Sequence, residues 1–271
     1  MIRLAVFDID RTLIPTKNGQ IAAETAAAIK ALQRKGIRTA IASGRMAHLI
    51  PDELRELGFD YYILSNGAYV TDETGALLSQ ESVDPALVER LIQEMCRRGL
   101  GLDVRYVGGM VQGNPKVDVR EQMAAYWASQ GVKFRPPTKN FQWYVQPPIG
   151  ARPISFDGCI PVEQQPDMIA LFPELDFLSV SEGPMCDINL KGISKATGIH
   201  RICQRMGIPM EETIAFGDDR NDLEMIREAG IGVAMGNAID MVKEAADYVT
   251  DSCENLGVVK ALHHFGLISQ E

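Results

Sequence analysis

The sequence predicts an α/β fold: a doubly wound parallel-sheet core interrupted by an inserted α+β segment. Three observations predict it. Short, continuously apolar runs alternate with helical patterns up to about Leu78. That alternation breaks near Ser82 and resumes around Met185. The chain is also large enough, at 271 residues and 46% hydrophobic composition, to bury a substantial core. Apolar strands without polar alternation belong to parallel sheets covered on both faces.

The elements follow in order. Leu4–Phe7 is a buried-type strand. Glu24 to Arg34 carries Ala28, Ile29 and Leu32 at helical spacing, and Gly36 ends that helix. Ile37 to Ala42 is the second strand, Asp52 to Leu57 a helix, and Tyr61 to Leu64 the third strand. Tyr69 to Leu78 reads as a hairpin turning at Glu73-Thr74-Gly75. Beyond Ser82, Pro85 opens a helix through Arg98, Leu102 to Val107 and Met110 to Gly113 form a hairpin around Gly108-Gly109, and Val119 to Gln130 is helical. From Gly131 to Pro161 the run of Pro136-Pro137, Trp143-Tyr144 and Pro147-Pro148 reads as an irregular connection or mobile loop. Alternation then returns. Helices are expected over Ser194 to Met206, Leu223 to Glu228, Met241 to Ala246 and near Gly257 to His263. Strands are expected at Thr213 to Phe216, Gly232 to Met235 and Tyr248 to Thr250. The core is therefore expected to be discontinuous, 1–81 and 188–271, around an insert at 82–187.

Composition narrows the function. With 27 Lys+Arg against 36 Asp+Glu the formal charge is −9. So acidic a chain is a poor general binder of nucleic acid or anionic membrane, and handling phosphate would require a cation at the site. No apolar run approaches the roughly 20 residues of a membrane helix, and the first residues lack a signal-peptide pattern. The five cysteines are dispersed without a C-x-x-C spacing, which argues against a disulfide framework or zinc site and reads as reduced core thiols of a cytoplasmic protein. The four histidines show no ligand spacing, and neither a G-x-S-x-G elbow nor a G-x-x-x-x-G-K-[ST] loop occurs.

The candidate chemistry sits where strands end. Asp8-Ile9-Asp10-Arg11-Thr12-Leu13 places two carboxylates at the C-terminal edge of the first strand, where open α/β sheets bind ligands. Their repulsion favours a shared proton or a divalent cation; one can attack phosphorus while the other, protonated, donates to a leaving oxygen. Ser43-Gly44-Arg45 follows the second strand, and a hydroxyl, a close-approach glycine and the following N–H groups suit a phosphate oxygen. Gly217-Asp218-Asp219-Arg220-Asn221-Asp222 crowds three acids and an amide into a strand-to-helix turn, more than a helix cap requires. Lys195, opening a helix, would hold carboxylates and a phosphate together, with Lys191 a competitor for that role. In a parallel sheet these groups converge on one crevice, which fits phosphoryl transfer from a monoester through an aspartyl phosphate.

These four segments, in this order, resemble the haloacid dehalogenase-like (HAD) superfamily, and specifically its Cof-type phosphatases with a large cap between the second and third motifs. Ser65-Asn66-Gly67-Ala68 and Val233-Ala234-Met235-Gly236-Asn237-Ala238 also look typical of that subfamily. The resemblance spans nearly all of 1–81 and 189–271; in the insert it rests on length and strand-helix pattern alone. It implies a Rossmann-like core with an α+β cap that closes over the substrate. Asp8 would be the nucleophile and Asp10 the general acid and base. Mg²⁺ would be held by an Asp8 oxygen, the Asp10 backbone carbonyl and Asp218. Ser43, with Gly44 and Arg45, would bind phosphoryl oxygens together with Lys195. Asn221 would sit beside the phosphate, and Asp222 would orient the metal's water shell. Cof-type members usually carry Gly where this chain has Arg11, whose cation either contacts a second anionic group of the substrate or pairs with a surface acid. Trp143, Tyr144 and Arg152 are candidate specificity residues. The resulting expectation is a Mg²⁺-dependent phosphatase of small phosphomonoesters, sugar phosphates foremost, with no nucleic-acid, membrane or obligate protein partner. The rivals are a phosphomutase on the same scaffold and a non-catalytic phospho-sugar sensor.

Overall fold

The computed structural model describes residues 1–15, 19–129, 142–144, 146–147, 149–179 and 183–269. The chain divides into two compact units, one comprising Met1–Gly44, Ile50–Ser79 and Ser194–Glu271 and the other Arg45–Leu49 and Gln80–Ile193.

The chain first lays down β1 (Leu4–Phe7), α1 (Ala23–Arg34), β2 (Arg38–Ala42), α2 (Asp52–Glu56), β3 (Tyr61–Leu64), β4 (Tyr69–Asp72) and β5 (Leu77–Gln80). The insert supplies α3 (Pro85–Arg98), β6 (Gly101–Tyr106), β7 (Gly109–Gln112), α4 (Val119–Ser129), β8 (Gln142–Tyr144), β9 (Pro153–Cys159), α5 (Gln165–Leu171), β10 (Leu175–Ser179) and β11 (Met185–Leu190). The chain then returns with α6 (Lys195–Met206), β12 (Thr213–Gly217), α7 (Leu223–Glu228), β13 (Ile231–Ala234), α8 (Asp240–Ala245), β14 (Tyr248–Val249) and α9 (Gly257–His264).

The first unit is built on an eight-stranded sheet in the order β14-β13-β12-β1-β2-β3-β4-β5. β14 through β3 pair in parallel, whereas β4 turns back antiparallel on β3, so the sheet is mixed at one edge rather than wholly parallel. The reason is local: the short hairpin connection after β3 leaves no room for a crossover helix. Strand alternation fills two cores. Ala5 and Phe7 of β1 pack with Ile29 and Leu32 of α1 and Val258 and Leu262 of α9. Leu4 and Val6 pack on the other face with Ile199 and Ile202 of α6 and Met225 of α7. Helices on both faces make the sheet doubly wound.

The second unit is a six-stranded sheet in the order β10-β11-β9-β6-β7-β8. One face packs Leu102, Val104, Phe156 and Ile188 against Leu91 and Met95 of α3 and Met168 of α5. α4 runs along β6 and β9, and it lies so close that a Cβ on Gly101 would stand 2.9 Å from Val119 Cγ2. The stretch from Gly131 to Pro161 is not simply irregular, because it contains β8 and the seven residues of β9, a central strand. Pro136, Pro137 and Pro148 lie outside the described residues, as do the side chains of Trp143 and Tyr144. All five cysteines are free, but Cys96 is exposed rather than in the core. No helix among the described residues is long and apolar enough to cross a membrane.

Candidate active site

β12, β1 and β2 are parallel neighbours, so the residues that follow them leave the sheet side by side at one edge. Asp8 and Ser43 each follow their strand directly, and Asp218 follows Gly217 at the end of β12. The Asp8 N–H donates to the Phe216 carbonyl at 3.0 Å. The chain then doubles back, because Ile9, Leu13 and Ile14 are all buried and the N–H groups of Leu13 and Ile14 donate to the Ile9 carbonyl at 3.0 and 2.9 Å.

Lys195 opens α6, whose N-terminus is fixed by a reciprocal capping box between Ser194 and Thr197. Its ammonium is completely buried and donates to Asp8 Oδ1 and Asp222 Oδ1, both at 2.6 Å. A buried ammonium persists only when paired in this way. The second oxygen of Asp222 accepts from the backbone N–H groups of Asp218 (2.8 Å) and Asp219 (3.1 Å). Asp222 reaches this position because residue 217 is glycine: a Cβ there would stand 2.5 Å from the Asp222 Cβ. Asp218 receives the Thr12 hydroxyl at 3.4 Å on Oδ1 and the Arg11 guanidinium at 3.2 Å on Oδ2.

One carboxylate oxygen each from Asp8, Asp218 and Asp222 falls within a 4.8 Å group, and all three residues are buried. Oδ2 of Asp218 is buried without a hydrogen-bond partner, its charge met by Arg11. Burial pushes Asp8 up toward about 8, opposed by Lys195 and reinforced by the Asp222 and Asp10 carboxylates. Burial likewise raises Asp218 well above the usual carboxylate range, with Asp8 and Asp222 adding to it and Arg11 opposing. Burial works against the charge on Lys195, but the Asp222 and Asp8 carboxylates outweigh it and leave the ammonium firmly protonated. Crowded buried carboxylates of this kind are hard oxygen donors of the type Mg²⁺ takes. The residues fit that ion: Asp8 and Asp218 would hold it, while both oxygens of Asp222 are already engaged by Lys195 and backbone N–H groups.

The expected residues come together unevenly. Asp8, Lys195, Asp218 and Asp222 form one buried group. Asp10 is exposed, and its side chain stands outside the acid group. Ser43 is buried, its N–H donating to the Ile63 carbonyl at 2.8 Å, and Gly44 beside it is half-buried. Arg45 belongs to the second unit and donates to the Leu49 carbonyl at 2.8 Å. Asn221 Nδ2 donates to Asn66 Oδ1 at 2.9 Å. Lys191 is exposed. The acid that Arg11 meets is no surface group but the buried Asp218. Arg11 also donates to the Asn237 carbonyl at 2.6 Å, and Asn237 Nδ2 returns a bond to the Arg11 carbonyl at 2.9 Å. Thr12, Asn66 and Asn237 lie in segments that stand out in the sequence, but nothing in their spacing tells which acid or amide each one meets.

The family model for haloacid dehalogenase-like hydrolases matches residues 5–262. The chain belongs to that family. Among the relatives of this haloacid dehalogenase-like hydrolase is YkrA of Bacillus subtilis, named as a phosphatase, 30% identical over 98% of both chains. A Streptococcus pyogenes protein whose name pairs a phosphatase with a peptidyl-prolyl cis-trans isomerase is 29% identical over the whole chain, which spans 55% of that relative's length. Two solved phosphatases superpose closely. The subclass IIB sugar phosphatase BT4131 does so with a TM-score of 0.83 and 29% identity, over 98% of this chain and 100% of that one. BT1666 from Bacteroides thetaiotaomicron does so with a TM-score of 0.85 and 27% identity, over 99% and 96%. The fold is thus the Rossmann-like HAD core with an inserted α+β cap domain, and the chain is an enzyme of the phosphatase class.

Proposed function

We propose that this HAD hydrolase is a Mg²⁺-dependent phosphatase of small phosphomonoesters, sugar phosphates foremost, working through a phosphorylated Asp8. The observation that carries this reading is the buried Lys195 ammonium bound at 2.6 Å to both Asp8 and Asp222, beside Asp218. One oxygen of Asp8 attacks phosphorus as the ester P–O bond breaks, and Asp10 gives the departing oxygen its proton. Exposure suits Asp10 to this task, since it can exchange protons with water. Asp10 then takes a proton from the water that attacks phosphorus and frees Asp8 with release of orthophosphate. Ser43, Lys195 and Asn221 bind phosphoryl oxygens, with Gly44 allowing close backbone approach. Asp8, the Asp10 carbonyl and Asp218 would hold Mg²⁺, which when bound would neutralise phosphate charge. Asp222 anchors Lys195 and the Asp218 backbone. The insert, 82–187, sets substrate choice for the core of 1–81 and 188–271. The sugar preference is suggested by the name of BT4131, and the dispersed free cysteines suit work in the cytoplasm.

The test is orthophosphate release from a panel of phosphomonoesters, with Mg²⁺ and with EDTA, for wild type and Asp8→Asn. The expected result is metal-dependent turnover that falls by at least about 1,000-fold in Asp8→Asn. Turnover equal in EDTA, or retained in Asp8→Asn, would sink the mechanism. Transfer of the phosphoryl group to a second hydroxyl instead of water would make the enzyme a mutase.

A further inference from the structure

Immediately after β3, Ser65, Asn66 and Gly67 take φ of +46°, +53° and +101°. Three successive residues in the left-handed region are unusual, and the first two are not glycine. Each such non-glycine residue carries a backbone cost and persists only where its surroundings impose it. The turn is also wholly buried, with Ser65 and Asn66 both at 0% exposure. The turn closes the β3–β4 hairpin, setting Leu64 opposite Tyr69, and its remaining contacts show what else it serves.

Those contacts reach three segments. The Asn66 N–H donates to the Ser43 carbonyl at 3.0 Å, tying the turn to the end of β2. The Asn66 side-chain oxygen accepts from Asn221 Nδ2 at 2.9 Å, tying it to the acidic turn after β12. Gly67 lies against Ser194, the residue capping the helix that Lys195 opens; a Cβ on Gly67 would stand 2.0 Å from the Ser194 carbonyl oxygen. One strained turn therefore touches the end of β2 at Ser43, the residue before Lys195, and Asn221 itself. Ser43, Lys195 and Asn221 are the residues assigned above to the phosphoryl oxygens; the turn meets the first at its backbone carbonyl, the second through its neighbour Ser194, and the third at its side chain.

We infer that Asn66 is a positioning residue for phosphoryl binding: it holds the Asn221 amide in place and joins it to the Ser43 strand end. An amide NH₂ has two N–H bonds in one plane. Committing one to Asn66 Oδ1 fixes the plane in which the other lies. Asparagine suits this task because it tolerates the left-handed backbone better than other residues bearing such an acceptor. The inference rests on the phosphatase reading, and its test separates the two.

The variants are Asn66→Gly, which accepts the backbone conformation and removes the side-chain amide with its acceptor, Asn221→Ala, and the double variant. The measurements are kcat/KM with p-nitrophenyl phosphate, the dissociation constant of orthophosphate by calorimetry, and the thermal midpoint. Asn66→Gly should lower kcat/KM and weaken orthophosphate binding by about 10-fold, the usual scale for a group that orients a binding residue. Asn221→Ala should do the same, and the double variant should lose nothing further, because both break one contact. Wild-type values in Asn66→Gly or additive losses in the double variant would each overturn the inference while leaving the phosphatase reading intact. A wild type that neither hydrolyses esters nor binds orthophosphate would remove that reading, and this inference with it.

Discussion

Arg11 occupies a backbone position with φ +65°, where glycine would be at ease. It is kept there by what its side chain and carbonyl do: the guanidinium meets Asp218, and Arg11 and Asn237 exchange two hydrogen bonds. Asp8 and Asp222 share the Lys195 ammonium, so every carboxylate of the buried group already faces an organic cation. A metal ion at Asp218 must then work against a positive charge close by. Arg11→Gln keeps the backbone strain and an N–H near the Nε position while removing that charge, and it should tighten Mg²⁺ binding by about 3- to 10-fold, a modest figure because the side chain is 34% exposed and partly screened. Titration calorimetry of Mg²⁺ into both proteins decides it; unchanged or weaker binding would mean that Arg11 orients Asp218 for the metal instead. The acids stood out in the sequence because they crowd at strand ends; Lys195 was singled out by the family resemblance, with Lys191 as a competitor. The partner of Arg11 was not legible, because residue 218 is brought to it by strand order in the sheet and by nothing local.

β6, β9 and β11 carry a second kind of buried charge. Cross-strand register sets Asp103 opposite Asp157 and Asp157 opposite Asp187, three acids in one row. Arg105, 6% exposed, donates from Nε to Asp157 at 2.8 Å and from Nη2 to both Asp157 and Asp187. Asp103 lies beyond those bonds, and burial, with Asp157 and Asp118 adding to it, pushes its pKa up to about 8. An acid with a raised native pKa holds its proton in the folded state. Its contribution to stability is fully present below the unfolded value near 4 and is lost as pH rises through about 8. Asp103→Asn should therefore match wild type in acid and be the more stable protein at pH 9. The two should diverge by at most about 1.4 kcal/mol per pH unit in between. Urea unfolding at several pH values measures this, and parallel curves would sink it. The same row explains why β9 is hard to read from sequence. Pro153, Asp157 and Gly158 are loop signals by type, and Asp157 is buried by an ion cluster rather than by apolar alternation. Strands and helices such as β3, α3 and α7, whose buried faces are apolar, were legible to the residue.

At the scale of the whole molecule, the insert divides the first unit in sequence but not in its core. Lys195 joins Asp8 across 187 positions and Asp222 across 27, so one buried ammonium ties the segment before the insert to the segment after it. Each unit has its own hydrophobic core: Phe7, Ile29 and Phe216 belong to the first, Leu91, Phe156 and Ile188 to the second. Units with separate cores should unfold as separate transitions. Lys195→Met leaves two buried carboxylates without their cation, a loss of about 3–5 kcal/mol. For a unit of this size each kcal/mol moves the midpoint by about 2–4 °C, so a fall on the order of 10 °C is expected. Scanning calorimetry should show that fall in one transition and leave the other where it was, while Asp103→Asn at pH 9 should move only the second. A single transition displaced as a whole by either variant would mean that the two cores unfold as one, and that the ammonium stabilises the entire chain rather than the unit it lies in.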